Sequence, residues 1–381
     1  MRRSVGRRHR TVAAMSSRRG TGRLVPVGLP AVEAAAAIRA AWDSGDAVLV
    51  LDPRAPAPEV DGIVDRMRPE MGVEPEVAAV VVTSGTAGAP KGVELTWDGL
   101  AASGEAVASA LEVRPGDRWL ACLPLQYVAG LAVLGRAWTT ATPVTVLERF
   151  DVAAVAGADA TLVSLVPTMV RRLREAGTDL ERFRRILLGG GPVREEGPNL
   201  VATYGLTETW GGVVHDGHAL EGVELTLGPA DEILVRGPMV MRGYRLAPEE
   251  TAAAFTPEGW LRTGDAGTLD ADGRLRVIDR LRDLIISGEV KVSPSEVEAV
   301  LAQHPAVADV CVVGAPDPEW GERVVAHVVP GHPDAPPGLA ELRHFAADYL
   351  SAAKLPREVV LADAIPRTAG GKPLRRMLSG G

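Results

Sequence analysis

Along the first 220 residues or so, short apolar runs alternate with stretches in which apolar and polar positions recur at helical spacing. "AVLVLDP" (47–53) and "VAAVVVTSG" (77–85) read as buried strands, "LTWDGLAASGEAVASAL" (95–111) as a helix and "WLACLPL" (119–125) as a further strand. A helix from Ala129 to about Thr140 comes next, then strands at "PVTVLE" and "TLVSLVP". A helix at "TMVRRLREAG" and strands at "RRILLGGG" and "LVATYG" follow. Strands alternating with helices predict an α/β layered sheet. From Val223 the texture turns β-rich, as in "DEILVRGP", and "DADG" (270–273) marks a hairpin. After Arg282 a compact α+β pattern begins. Ser293-Pro294-Ser295-Glu296 has the form of a capping box with proline at the first helical position. "VADVCVVGAP", "RVVAHVVP", the helix "LAELRHFAADYL" and "EVVLADAI" complete it. The expected fold is therefore α/β: a large N-terminal α/β layered domain with a β-rich sub-region, then a small C-terminal α+β domain. The boundaries are residues 21–280 and 281–381, after a basic leader at 1–20.

Composition sharpens this picture in three ways. At 381 residues the chain exceeds one ordinary core, which favours two domains. No apolar run approaches the ~20 residues needed to cross a bilayer, so stable membrane insertion is not expected. The net charge of −8 argues against a nucleic-acid partner. That sum hides an asymmetry, because the first 19 residues carry seven arginines and no acid. A basic arm or targeting peptide would have this charge, but the apolar stretch of a secretory signal is missing and Met15 is an alternative start. The leader is therefore read as disordered and dispensable. Cys122 and Cys311 match no metal or redox spacing, which suits a reducing cytoplasm. His215 and His218 form an H-x-x-H pair without a third ligand and read as ordinary polar loop residues.

The candidate chemistry starts at "VVTSGTAGAPKGVELT" (81–96). Gly85, Gly88 and Gly92 let the backbone turn tightly, Thr83, Ser84 and Thr86 add hydroxyl donors, and Lys91 adds a point charge. The pattern predicts a loop that leaves a strand and precedes a helix, a common place for phosphate. A Walker-type loop needs Gly-Lys-Ser/Thr; the order here is Pro90-Lys91-Gly92.

The arrangement resembles the phosphate loop of the adenylate-forming superfamily: acyl- and aryl-CoA ligases, luciferases and adenylation domains. Further motifs of that family follow in order: "LLGGGP" (187–192), "TYGLTET" (203–209), "GWLRTGDAG" (259–267), "IDRLRDLIISGEVKVSPSEVE" (278–298) and "IPRTAGGKPLRR" (365–376). The resemblance implies ATP, Mg²⁺ and CoA as co-substrates and cofactor. It assigns the ATP phosphates to Thr83, Ser84, Gly85, Thr86, Ala87, Gly88 and Lys91. It assigns the adenine to Gly190, Gly191, Tyr204 and Gly205, and the ribose to Asp265 with Arg280 nearby. Thr207 would touch the α-phosphate, Glu208 would ligate Mg²⁺, and Lys372 would bridge carboxylate and α-phosphate. The small domain is expected to be mobile, with its hinge at Arg282 and Gly288 on the thiol's path. Arg282 replaces a more usual Asp or Lys, and Glu289 stands where a second glycine is usual.

Within the family, the short chain and the segments "LPLQYVAGLAVLGRAW" and "YGLTETWGGVVHDGHALEGVEL" resemble the compact actinobacterial form of the o-succinylbenzoate–CoA ligases. The expected partner is then a small carboxylic acid with a second, non-reacting carboxylate. An anion in an apolar pocket needs a cation. Arg136, on an otherwise apolar helix, is the candidate, with an edge arginine that snorkels to water as the alternative. Gly130, Leu131, Leu134, Gly211 and Gly212 would shape a slot for the ring. Gln126-Tyr127 stand where an aromatic-His pair is usual, and the stretch between Gly191 and Tyr204 is short for the family. A ligase for another aromatic or short-chain acid and a degenerate nucleotide-binding homologue stay open, as does a homodimer.

Overall fold

Two compact units emerge from the chain's internal contacts. The first comprises residues up to Thr226 with Leu234–Thr263 and Ala271–Leu275; the second comprises Leu227–Ile233, Gly264–Asp270 and Arg276 onward. The computed structural model describes residues 19–83, 90–191, 193, 195–288, 290–367 and 373–379. The leader therefore falls, but for its last two residues, outside the described chain.

In the first unit, four strands lie in sequence order: β1 (Leu24–Val27), β2 (Ala47–Val50), β3 (Val77–Thr83) and β4 (Lys91–Thr96), with Gly243–Tyr244 beyond β4. β1, β2 and β3 are parallel, whereas β3–β4 and β4 with Gly243–Tyr244 are antiparallel. Between β1 and β2 runs helix α1 (Ala31–Ser44), an alanine-rich segment that buries Ala34, Ile38, Ala41 and Trp42 on one stripe. Its end at Gly45, φ 82°, is the left-handed cap that glycine favours. Neither β1 nor α1 was anticipated from the sequence pattern.

A second sheet follows. It is built from β5 (Trp119–Ala121), β6 (Val144–Val146), β7 (Leu162–Leu165), β8 (Arg185–Leu188), β9 (Leu200–Leu206) and β10 (Gly211–His215). Its order is β10-β9-β8-β7-β5-β6, with His218–Ala219 outside β10. It is parallel from β6 to β9 and antiparallel at β9–β10. The parallel strands β7 and β8 are apolar and almost wholly buried, as expected where both faces are covered. Helices α2 (Ala57–Met67), α3 (Trp97–Ala110) and α4 (Val128–Thr139) complete the frame used below. α3 starts at an N-cap, Thr96, whose hydroxyl accepts from the Gly99 amide at 3.0 Å. Among the described residues between Gly191 and β9, no helix forms.

The second unit takes in residues 227–233, 264–270 and 276–280, then a sheet ordered Val290–Val292, Ile285–Ser287, Gly321–Pro330, Val307–Asp317. Glu358–Leu361 pairs in parallel with Gly321–Pro330. Helices Pro294–Leu301 and Leu339–Ala347 pack on this sheet over a core that includes Val297, Leu301, Val312, Val324 and Leu342. The expected Ser293 cap is present, its hydroxyl accepting from the Glu296 amide at 3.1 Å. The Glu296 carboxylate does not close the box but takes Lys354 Nζ at 2.6–2.7 Å. No helix among the described residues is long and apolar enough to cross a membrane.

Candidate active site

The segment that opens the site departs from the expected strand-loop-helix. Thr83 and Lys91 are cross-strand partners in an antiparallel pair, so the glycine-rich loop joins two strands, and α3 begins only after β4. "KGVELT" hid this strand because Glu94, its central acid, is buried. Glu94 faces Arg245 Nη1 at 3.2 Å and Arg242 Nη1 at 3.0 Å. Arg245 is itself buried and donates to the carbonyls of Met67, Arg68 and Gly72. These partners lie too far along the sequence to be read from it. Ser84, Gly85, Thr86, Ala87 and Gly88 lie outside the described residues.

Lys91 starts β4 with its Nζ 4.8 Å from the centroid of the Tyr244 ring. The Tyr244 hydroxyl donates to Glu208 Oε1 at 2.8 Å. The phenol thus links the candidate phosphate lysine to the candidate metal ligand, a role that sequence reasoning missed. Only its long-range pairing with Val93 brings it there. Thr207 and Glu208 sit on a single turn, Thr207–Thr209, between β9 and β10. That turn is fixed by its buried neighbours. Thr209 Oγ1 accepts from the Leu206 amide at 2.9 Å and donates to the Gly211 carbonyl at 2.7 Å. Trp210, 1% exposed, donates from Nε1 to the Thr96 carbonyl at 3.0 Å. Gly205 lies opposite: a Cβ there would overlap the Gly211 carbonyl, so the two backbones approach as only glycine permits. Tyr204 is half-buried on β9, and Gly190 and Gly191 follow β8.

On α4 Arg136 is 6% exposed, not at a wet helix edge. Its guanidinium lies 5.9 Å from the Trp119 ring, and its Nε is buried with no hydrogen-bond partner among the described residues. Burial alone pushes it down to about 10, with no carboxylate working against the shift. An Nη of Arg136 lies 3.6 Å from where a Gly211 Cβ would stand. Leu131 and Leu134 are buried on the same helix, and Gly130 is held against the Pro124 carbonyl. Gln126 donates to Asp52 at 2.8 Å. His215 is not a loop residue. It ends β10, is buried, and is pushed down to about 3 by burial and by the charge of Arg136. His218 is exposed.

In the second unit Asp265, 5% exposed, receives Arg280 Nε at 2.8 Å, so these two candidates form one ion pair. Arg282 lies in the turn Leu281–Asp283 with its Nε 3.6 Å from Asp283. Gly288, φ 65°, donates its amide to the Trp320 carbonyl at 2.7 Å. A Cβ at Gly288 would press on the Trp320 ring at 3.3 Å. Lys372 and Glu289 lie outside the described residues. The chain on either side of 368–372 is anchored by Arg367 to Asp309 at 2.7 Å and by Arg375 to Glu298 at 2.7 Å.

The first unit thus brings a lysine at the start of a strand and a carboxylate on a turn to the same tyrosine. Residues 68–245 match the AMP-binding enzyme family and residues 296–372 its AMP-binding enzyme C-terminal domain. The chain belongs to this family of AMP-binding, adenylate-forming enzymes. It is 34% identical to the 2-succinylbenzoate–CoA ligase of Bacillus subtilis (strain 168), over 88% of this chain and 78% of that one. The ligase of the same name from Geobacillus kaustophilus is 36% identical over 88% and 75%. Among solved structures, o-succinylbenzoate CoA synthetase from Bacillus subtilis with the acyl-adenylate OSB-AMP superposes at a TM-score of 0.84. It is 30% identical, with 99% of this chain and 92% of that one covered. ATP-bound MatB from Rhodopseudomonas palustris, 25% identical, superposes at 0.81 over 99% and 92%.

Proposed function

We propose that the chain is an ATP-dependent acid–CoA ligase whose acid is o-succinylbenzoate, a dicarboxylate of menaquinone biosynthesis. The observation that carries the choice of acid is Arg136, a buried guanidinium beside Gly211 whose Nε has no partner among the described residues. A buried charge without a counter-ion costs the folded chain stability, and a ligand carboxylate offsets that cost. A monoacid offers nothing to this position. The relatives named as 2-succinylbenzoate–CoA ligases favour the same acid.

In the proposed reaction an oxygen of the succinyl carboxylate attacks the α-phosphorus of ATP. The bond from that phosphorus to the bridging oxygen breaks, and pyrophosphate leaves. The CoA thiolate then attacks the acyl carbon of the adenylate, and AMP leaves with the electron pair of the C–O bond. Two anions meet in the first step, so donors and cations must stand where charge accumulates. Lys91 and the loop from Thr83 to Gly88 take the β- and γ-phosphates, Thr207 contacts the α-phosphate, and Lys372 bridges it to the carboxylate. Tyr204, Gly205, Gly190 and Gly191 bound the adenine. The ribose hydroxyls donate to Asp265, which Arg280 holds in place. Among the described residues Glu208 would be the side chain that holds Mg²⁺, as a carboxylate ligand, and its Oε1 accepts from the Tyr244 hydroxyl. When bound, that cation offsets phosphate charge. Gly130, Leu131, Leu134, Gly211 and Gly212 enclose the ring. Arg282 is the hinge of the small domain, and Gly288 borders the thiol's path. A cytoplasmic setting belongs to the same proposal, since Cys122 and Cys311 are buried free thiols. Pyrophosphate release tests it: it should require o-succinylbenzoate, ATP and Mg²⁺ together. Equal release with aromatic monoacids would refute the choice of acid.

A further inference from the structure

Beside Arg136 lies a second group of buried polar atoms that the adenylation chemistry does not use. Thr203 on β9 and His215 on β10 are cross-strand partners, so their side chains stand on one face of the sheet. Thr203 Oγ1 and both ring nitrogens of His215 are buried with no hydrogen-bond partner among the described residues. A Cβ on Gly212 would overlap Thr203 Oγ1 and come within 3.6 Å of His215 Nε2. The neighbouring glycine, Gly211, has an Arg136 Nη at 3.6 Å from its own Cβ position. Two consecutive glycines of β10 thus border a guanidinium, a hydroxyl and an imidazole. The proximity of His215 and Arg136 also registers electrostatically, the arginine's charge helping to keep the imidazole neutral. A neutral imidazole offers one N–H donor and one acceptor nitrogen.

Buried groups of this kind carry a desolvation cost unless something bonds to them. Arg136 already satisfies a carboxylate with its own fork of donors. The hydroxyl and the ring N–H are neutral donors, suited to a neutral carbonyl oxygen close to that carboxylate. Resting on the reading that Arg136 takes the non-reacting carboxylate, we propose that Thr203 and His215 donate to the ketone oxygen beside it. They are then specificity-determining residues, selecting aryl ketone dicarboxylates over dicarboxylates of the same charge without the ketone. A site built to hydrogen-bond a group discriminates strongly against analogues that lack it, because its donors are then left buried and unpaired.

Three acids separate the possibilities: o-succinylbenzoate, its analogue with a methylene in place of the ketone, and its analogue without the ring carboxylate. kcat/KM for pyrophosphate release is measured for the natural chain, Arg136→Ala, His215→Leu and His215→Asn. His215→Leu should lower kcat/KM on o-succinylbenzoate about 10- to 100-fold while leaving the methylene analogue within about threefold. His215→Asn, which keeps an N–H donor, should recover much of the loss, and KM for ATP should not move. Equal loss on both dicarboxylates, or no loss on either, overturns the proposal. Arg136→Ala on the methylene analogue tests the parent reading separately, since that acid keeps both carboxylates and lacks only the ketone. If His215→Leu fails to melt cooperatively, Thr203→Val, of nearly equal volume, carries the same comparison with the same outcomes.

Discussion

Replacing Arg136 by methionine removes a buried charge but keeps most of the side chain's length, so stability and activity should move in opposite directions. Burial lowers the guanidinium to about 10. At about 1.4 kcal/mol per tenfold, carrying the charge there costs the unliganded chain roughly 3 kcal/mol. Because the folded-state value is the lower one, the cost is fully present at neutral pH. It is relieved only as pH rises above about 10. Arg136→Met should therefore stabilise the unliganded chain by roughly 1–3 kcal/mol, less whatever the Trp119 contact contributed. The same substitution leaves the acid's second carboxylate buried and unpaired, a loss of about 2–4 kcal/mol in transition-state binding. That corresponds to about a 30- to 1000-fold fall in kcat/KM for o-succinylbenzoate. Thermal or urea unfolding without substrate gives the first quantity. Steady-state pyrophosphate release gives the second, with the acid lacking the ring carboxylate as control. A variant that is less stable and equally impaired on both acids would refute the reasoning, because Arg136 would then be a structural residue.

Three further substitutions test other parts of the site. Lys372→Ala should abolish adenylate formation by several orders of magnitude yet largely spare thioester formation from supplied acyl-adenylate. Equal loss in both half-reactions would reject that division of labour. Tyr244→Phe keeps the ring under Lys91 but frees Glu208 Oε1; adenylation should fall about tenfold and the Mg²⁺ concentration for half-maximal rate should shift, whereas an unchanged Mg²⁺ dependence would separate Tyr244 from the cation. Glu94→Ala leaves Arg245 charged and buried without its carboxylate, so unfolding free energy should drop by about 3–5 kcal/mol, and a change below about 1 kcal/mol would show that the backbone carbonyls alone satisfy Arg245.

The elements best read from sequence are those whose partners are uniform. Apolar runs such as "TLVSLVP" and "RRILLGGG" became the buried parallel strands β7 and β8, since a strand covered on both faces needs only to be apolar. What escaped depends on distant pairing. β4 looked like loop because its inward Glu94 is neutralised by Arg242 and Arg245, about 150 residues on. Tyr244 carries no local signal and reaches the site only as the strand edge beside Val93. His215 looked like one half of a polar H-x-x-H turn, yet it packs opposite Thr203 across a strand pair. Arg136 was legible as a candidate because a cation on an apolar helix is conspicuous. Its burial, which excludes the snorkelling alternative, required the packing of α4 beside Gly211 and Trp119.

Capture of the two products in order is the most direct measurement. The chain is mixed with ATP, Mg²⁺ and o-succinylbenzoate, and the bound species is identified by mass spectrometry before and after CoA is added. Acyl-adenylate should form with one pyrophosphate released, then convert to the CoA thioester with one AMP, and both should form far more slowly with the acid lacking its ring carboxylate. Equal adenylate from that monoacid, or adenylate that CoA never consumes, would contradict a dicarboxylate–CoA ligase.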